Sequence, residues 1–236
     1  MASSTKEVLE RLEAIDSALP ATDGVKWFNK LYLEMTQGVF ETLPGLPQAA
    51  PGFLEALDVA FGNLYFDALD AAGSGSSPPA AYPFHAWKPL FEARFDTEIA
   101  PIQFALAGMN AHINHDLAIG ISDVFAARGT DPGDDTPERR DYESVNELIA
   151  AAEEKTKLWM VTGLLKELDV AFHSTDDIVA VWNIARARDA AWVSAEVISS
   201  LDLPPLRKSY EEVNDRTVGF AGRALLNPVG LLDAQR

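Results

Sequence analysis

The chain has 236 residues, of which 47% are apolar and 23% charged, and its formal net charge is −17. This length fits one large domain or two small ones, and it is enough to bury a substantial core. The chain contains no cysteine, which excludes disulfides, cysteine-held iron–sulfur clusters and thiolate zinc sites. The acidic balance disfavours nucleic acid and anionic membrane surfaces as partners, because both are bound through clustered lysine and arginine.

The N-terminus lacks a basic start followed by an apolar run, and no apolar run in the chain is long enough to span a membrane. We therefore expect a cytoplasmic protein without a membrane-spanning segment.

Apolar residues at helical spacing predict three helices in the first third of the chain. The first covers Thr5–Leu19 behind a cap at Ser3 or Ser4, the second covers Asp23–Thr42, and Pro51 opens the third.

Two helices are predicted in the middle of the chain, after a flexible surface loop near 73–82 that is rich in Gly, Ser and Pro. Pro89 opens a short helix, and Pro101 opens a long one that Gly129 closes. The polar residues of Thr130–Arg140 predict a second flexible loop.

Three more helices are predicted in the last part of the chain. Ser144 and Glu147 are spaced as a capping box, and Pro204-Pro205 separates the last two helices. The predicted helices cover Ser144–Phe172, Asp177–Leu201 and Leu206–Leu226, and a loose tail follows at 227–236. No stretch alternates like a strand, so the fold class is all-α: a single-domain bundle of about seven to nine helices around a central buried helix.

The central helix is apolar along most of its length, but its middle carries five polar residues: Asn110, His112, Asn114, His115 and Asp116. Burying such a group without a partner costs on the order of a few kcal/mol, so this cluster is the candidate functional site. At about 100° per residue, the two histidines and Asp116 share one face, and the asparagines point away from it toward the core.

Two interpretations of the face formed by His112, His115 and Asp116 stay open at this point. In the first, the face is exposed to solvent and the asparagines tie neighbouring helices together. In the second, the face lines a pocket, as favoured by the packed appearance of Phe104 and Gly108 on the same line.

Such a pocket has two candidate chemistries. A histidine beside a carboxylate is a general acid–base pair, because the carboxylate orients the imidazole and raises its basicity. Alternatively, His112, His115 and Asp116 would ligate a divalent transition metal together with His85 or His173. The sequence contains neither a His-Glu-x-x-His nor a Glu-x-x-His motif, so no metal-binding motif of these types supports this site.

The helix before the last one carries a second feature. Trp182, Arg186 and Asp189 share a face, and Arg186 and Asp189 are spaced as an i,i+3 pair. Either this pair is an ordinary solvated one, or it reaches the pocket, where Arg186 would anchor an anionic substrate group or pair with Asp116. Arg188 lies off this face and is expected at the surface.

The segment Gly108–Leu117 reads Gly-Met-Asn-Ala-His-Ile-Asn-His-Asp-Leu. It resembles the Met-Asn-x-His-Ile-Asn-x-Asp-Leu signature of an uncharacterised bacterial all-helical family, a domain of unknown function. Supporting segments are Leu64-Tyr65, Asp141-Tyr142 with Val145-Asn146, and Trp182 through Trp192. The resemblance implies an all-helical fold and a shared site at Asn110, His112, Asn114 and Asp116, with His115 at a variable position, and it implies no established activity.

We predict an enzyme of lyase, cyclase or hydrolase type that acts on a small, partly apolar organic molecule without a cofactor. His112 would be the general acid or base, and Asp116 would orient it. The substrate-binding residues would be Asn110, Asn114, Arg186, Trp182, Trp87 and Tyr65. The alternatives are a metal-dependent hydrolase or oxygenase that uses the same histidines, and a non-catalytic carrier or sensor of an apolar ligand.

Overall fold

The computed structural model describes residues 1–45, 47–75, 77–146, 148–149 and 184–226. These residues form helices, turns and irregular segments and contain no strand, so the all-α prediction is confirmed. In chain order the helices are α1 (Thr5–Ala18), α2 (Gly24–Thr42), α3 (Phe53–Ala72), α4 (Lys88–Ala93), α5 (Pro101–Ala111), α6 (Leu117–Arg128), α7 (137–146), α8 (Ile184–Ser200) and α9 (Pro204–Leu225). None of the helices in these ranges is long and apolar enough to cross a membrane.

The centre of the bundle is formed by α5, α6 and a π-helical turn, His112–Asp116, that joins them. Helices α2 and α9 pack on α5, while α3 and α8 pack on α6. Ten of the eleven residues of α5 are buried, as expected for a helix that is apolar on nearly all sides. Gly108 lets α2 approach closely, because a Cβ at this position would lie 2.3 Å from the Phe28 side chain.

Short-range hydrogen bonds explain where the predicted helices begin and end. Ser4 caps α1 by accepting the Glu7 N–H at 3.3 Å, and Asp23 caps α2 by accepting the Val25 N–H at 3.0 Å. Gly129 ends α6 in the left-handed region, at φ 68°, a conformation that glycine adopts without a steric penalty.

The predicted start of the helix at Ser144 is wrong. Helix α7 begins at 137, because the Thr136 hydroxyl accepts the Arg139 N–H at 3.1 Å and Pro137 suits the first helical position. Ser144 lies inside α7 and donates its hydroxyl to the Asp141 carbonyl at 2.7 Å. The predicted loop Thr130–Arg140 therefore ends at Thr136.

Two other predicted boundaries move by two residues. Helix α3 begins at Phe53 instead of Pro51, because Gly52 has a φ of 77° that does not continue a helix. Helix α9 begins at Pro204 instead of Leu206, because proline is readily accommodated in the first turn of a helix. The predicted helix beyond 149 and the predicted tail at 227–236 lie outside the described residues.

Candidate functional site

The polar cluster of the central helix lies on the π-helical turn His112–Asp116. The Leu117 N–H bonds to the His112 carbonyl, five residues back instead of four, so the turn is wider than an α-helical one. Single π-turns inside α-helices occur frequently at functional sites. The apolar spacing along Pro101–Gly129 predicts a continuous α-helix, so the π-turn differs from the prediction.

Asp116 is the centre of a buried hydrogen-bond network. Its Oδ2 accepts from Trp87 Nε1 at 2.9 Å and lies 3.1 Å from His112 Nδ1, while its Oδ1 lies 2.7 Å from His115 Nδ1. His112 is 1% exposed, His115 7% and Asp116 2%. The interpretation that this face is exposed to solvent is therefore wrong.

The pKa values of the three network members are shifted in different directions. Burial lowers the pKa of His112, and the hydrogen bond to Asp116 offsets this only in part. For His115 burial acts in the same direction, but the bond to Asp116 and the negative charges of Asp116 and Asp215 leave its pKa raised. Burial opposes ionisation of Asp116, yet the bonds from the two histidines leave its pKa lowered. Asp116 is thus ionised at neutral pH while His112 is neutral.

The hydrogen bond to Asp116 determines the tautomer of His112. An ionised carboxylate can only accept, so the proton of the neutral imidazole is on Nδ1 and the lone pair is on Nε2. Nε2 is buried and has no hydrogen-bond partner among the described residues. The ring stacks on Phe61 with 3.4 Å between centroids, and the Tyr32 ring lies 4.4 Å away. Such an imidazole can accept a proton, accept a hydrogen bond or ligate a metal.

His112 lines a cavity of about 110 Å³, to which α1, α2, α3 and α5 contribute residues and α6, α7 and α8 contribute further ones. Most of the lining is apolar and includes Met35, Val39, Leu54, Leu57, Met109 and Ile113. Three further residues of the lining carry a buried oxygen without a partner among the described residues: Thr5 Oγ1, Tyr32 Oη and Asp58 Oδ2. Native proteins leave few buried polar atoms unpaired, so four of them around one cavity require an explanation.

Asp58 is the most perturbed of these groups. Burial raises the pKa of its carboxyl to about 7; the nearby Thr5 hydroxyl acts against this rise, and the charge of Glu55 adds to it. Burial also raises the pKa of Tyr32, and the negative charge of Asp58 raises it further. The charge of the Asp58 carboxylate therefore acts on the Tyr32 phenol.

Sequence reasoning missed Asp58, Tyr32 and Thr5. One signal was available for Asp58: it lies on the apolar stripe of α3, four residues after Leu54 and three before Phe61, where a carboxylate is out of place. Tyr32 and Thr5 carry no comparable signal, because a tyrosine or a threonine on an apolar face is ordinary.

Asn110 and Asn114 hold the central helix to α9. Asn110 Nδ2 donates to the Val218 carbonyl at 2.9 Å, and Asn114 Nδ2 donates to Asn110 Oδ1 at 3.1 Å. Neither asparagine is among the residues that line the cavity. Their side chains are thus placed for packing, which was one of the two roles predicted for them.

Trp87 and Tyr65 are both fully buried, and their rings lie 5.9 Å and 6.1 Å from the His112 ring by their centroids. Trp87 donates to Asp116, as described above, and the Tyr65 hydroxyl donates to Asn29 Oδ1 at 3.3 Å. Neither lines the cavity; Trp87 belongs to the Asp116 network, whereas Tyr65 is bonded to α2 through Asn29.

The two arginines of α8 lie in different surroundings, and the exposure of Arg186 agrees with the solvated one of its two predicted roles. Arg186 is exposed, whereas Arg188 is 8% exposed and lines the cavity, so the prediction that Arg188 lies at the surface is wrong. The Arg188 guanidinium lies 3.9 Å over the Tyr142 ring, and its Nε donates to Asn146 Oδ1 at 2.7 Å. Asp189 is bonded by Arg139. Trp182, on which the predicted face of this helix depended, lies outside the described residues.

Of the two additional histidines named for the metal alternative, His85 is the one that the structure describes. His85 is exposed, and His173 lies outside the described residues. His115 Nε2 lies 3.6 Å from Asp215 Oδ1, so its ring is directed toward α9. In the part of the chain that the structure describes, no three His, Asp or Glu side chains are grouped so that they could hold a metal ion. The metal alternative stays a prediction.

A comparison with protein families gives a match over most of the chain. A family model described as "Family of unknown function (DUF5995)" matches residues 5–228. The chain belongs to the DUF5995 family. No curated protein and no solved structure matches the chain. Membership in a family of unknown function agrees with the resemblance noted above, while the signature within Gly108–Leu117 stays a prediction. A function for this DUF5995 member must be inferred from its own residues.

Proposed function

We propose that this DUF5995 protein is an enzyme that binds a small, largely apolar organic molecule in the cavity beside His112 and uses His112 Nε2 as a general base. One observation carries the proposal: Nε2 holds a lone pair, is buried without a partner in the described residues, and belongs to a residue that lines the cavity. An unsatisfied buried acceptor costs about 1–3 kcal/mol. A ligand that donates a hydrogen bond to Nε2 would remove that cost.

The surroundings of His112 support the role of a base. A base must be unprotonated before it reacts, and burial keeps the pKa of His112 below its ordinary value. When Nε2 accepts a proton from the substrate, the ionised Asp116 at 3.1 Å from Nδ1 stabilises the imidazolium that forms. A positioned base of this kind contributes roughly 10²- to 10⁴-fold to a rate.

The cavity limits the size of the substrate. Its volume of about 110 Å³ is of the same order as an engineered cavity of roughly 150 Å³ that takes up benzene. The side chains around it are mostly apolar, with the polar groups gathered at Thr5, Tyr32, Asp58 and His112. We therefore infer a substrate about the size of one ring or short chain, with a polar group at one end.

The experiment is a turnover screen against a variant that keeps the shape of the site. Purified protein is incubated with a cell extract, and the consumption of small molecules is followed by mass spectrometry. His112→Gln has a similar volume but no basic nitrogen, and it should slow consumption by roughly 10²- to 10⁴-fold without a change in helical circular dichroism. His85→Gln, at an exposed histidine, is the matched control.

Three outcomes would contradict the proposal. Consumption at the wild-type rate by His112→Gln would rule out His112 as the base. A compound that is retained in native mass spectrometry but never converted would favour the carrier. A stoichiometric metal in untagged protein, lost in His112→Gln, would favour the metal-dependent enzyme.

A further inference from the structure

We propose that the molecule bound beside His112 is a small amine, which presents its ammonium group to Asp58, Tyr32 and His112 and its apolar body to the rest of the cavity. Because it occupies the same cavity, this ligand class rests on the proposed function. It differs from the anionic substrate group predicted for Arg186, which is exposed and does not line the cavity.

Hydrogen-bond capacity is the first reason for an amine. His112 Nε2 can only accept, an ionised Asp58 can only accept, and the hydroxyls of Tyr32 and Thr5 can do either. Among the described residues that line the cavity, no buried N–H group is left without a partner. A ligand that supplies donors would therefore match His112 Nε2 and an ionised Asp58, which can only accept. An ammonium group supplies up to three N–H donors, whereas a hydroxyl supplies one.

Charge is the second reason. The Asp58 and Asp116 carboxylates both act on the Tyr32 phenol, so this end of the cavity lies in a negative potential. Asp58 Oδ2 is buried without a hydrogen bond of normal geometry in the described part of the chain, and the neutral Thr5 hydroxyl beside it supplies no opposite charge. The cationic Arg188 also lines the cavity, but its guanidinium lies against Tyr142 and Asn146. A cationic ligand would give Asp58 the opposite charge that it lacks here.

The aromatic rings around the polar end are the third reason. The rings of Tyr32 and Phe61 lie 5.8 Å apart by their centroids, and both residues line the cavity. A cation near an aromatic face is attracted by the ring quadrupole, and more strongly when water is excluded. The same rings would pack against an apolar body, so they suit both parts of an aryl or alkyl amine.

The test compares three probes of nearly the same size: benzylamine, benzyl alcohol and toluene. Their affinities for the full chain are measured by isothermal titration calorimetry at pH 8, above the pKa of about 7 of Asp58. Benzylamine should bind about tenfold or more tightly than benzyl alcohol, because its hydrogen bonds to Asp58 are charge-assisted. Its affinity should fall as the pH drops below 7 and Asp58 becomes protonated.

Two variants locate the binding group. Asp58→Asn should remove the preference for benzylamine, whereas Glu55→Gln, which removes an exposed carboxylate one turn earlier on α3, should keep most of it. Equal affinity for benzylamine and benzyl alcohol, or an unchanged preference in Asp58→Asn, would overturn the amine while leaving the cavity and His112 as proposed. Failure of all three probes to bind would also overturn the amine. The turnover screen with His112→Gln tests the proposed function separately, so the two failures are distinguishable.

Discussion

Replacement of Asp58 by asparagine should stabilise the protein above neutral pH. Burial raises the pKa of this carboxyl from 3.8 to about 7, so the folded protein keeps a proton on Asp58 that the unfolded chain has already lost. A folded-state pKa above the unfolded value means that stability decreases as the pH rises between these two values. Above pH 7 the folded state carries a buried carboxylate without a partner in the described residues. Asparagine has no charge and removes this cost.

The pKa values give the size of the effect. At about 1.36 kcal/mol per pH unit, the interval from 3.8 to about 7 corresponds to at most about 4 kcal/mol of unfolding free energy. Asp58 is partly exposed as a residue, and solvent screening reduces the effect, so we expect a gain of about 1–2 kcal/mol at pH 8. The gain should shrink toward zero as the pH falls below 3.8, where both states hold the proton.

Urea unfolding followed by circular dichroism at pH 8 and pH 5 measures this difference. Asp58→Asn should gain stability at pH 8 and gain less at pH 5, while the Glu55→Gln control should change little at either pH. Equal destabilisation of Asp58→Asn at both pH values would refute the reasoning. A variant that is more stable but no longer prefers benzylamine would show the trade between stability and function that is common at binding sites.

Three further substitutions test the hydrogen bonds and the close packing that hold the site in place. Asp116→Asn should cost about 3–5 kcal/mol in urea unfolding, because it removes the charge that both histidines contact; wild-type stability would contradict the network. Trp87→Phe removes the indole donor to Asp116 and should cost about 1–3 kcal/mol in the same assay, and no loss would show that this hydrogen bond is dispensable. Gly219→Ala should lower the Tm by an amount equivalent to about 1–3 kcal/mol, since its Cβ would lie 2.3 Å from the His85 carbonyl oxygen. An unchanged Tm would mean that α9 moves aside freely.

The fold class was predictable from the sequence because local features determine it. Apolar residues at helical spacing, Ser4 and Asp23 as caps, and Gly129 as a terminator act over a few residues each. The same local reasoning failed at Ser144, where the spacing of a capping box occurs inside α7. The effective cap, Thr136, was hidden in a segment that appeared to be a polar loop.

The candidate site was predictable only in part. His112 and Asp116 stood out because they interrupt an otherwise apolar helix. Asp58, Tyr32 and Thr5 come from three other helices and meet His112 only in the tertiary structure, so no local pattern connects them. The wrong surface prediction for Arg188 also comes from tertiary packing. Arg186 and Arg188 are about 200° apart around the helix, so they lie on opposite faces, and only the packing determines which face meets the cavity.

Long-range ¹H–¹⁵N NMR spectra of the histidine side chains test the central claim most directly. The chain has four histidines, and the spectrum of His112→Gln assigns the resonances of His112. A neutral imidazole at pH 7, protonated on Nδ1 and with an Nε2 signal that shifts when a ligand enters the cavity, is the predicted result. A proton on Nε2, or an imidazolium at pH 7, would contradict the claim that His112 faces the cavity as a base.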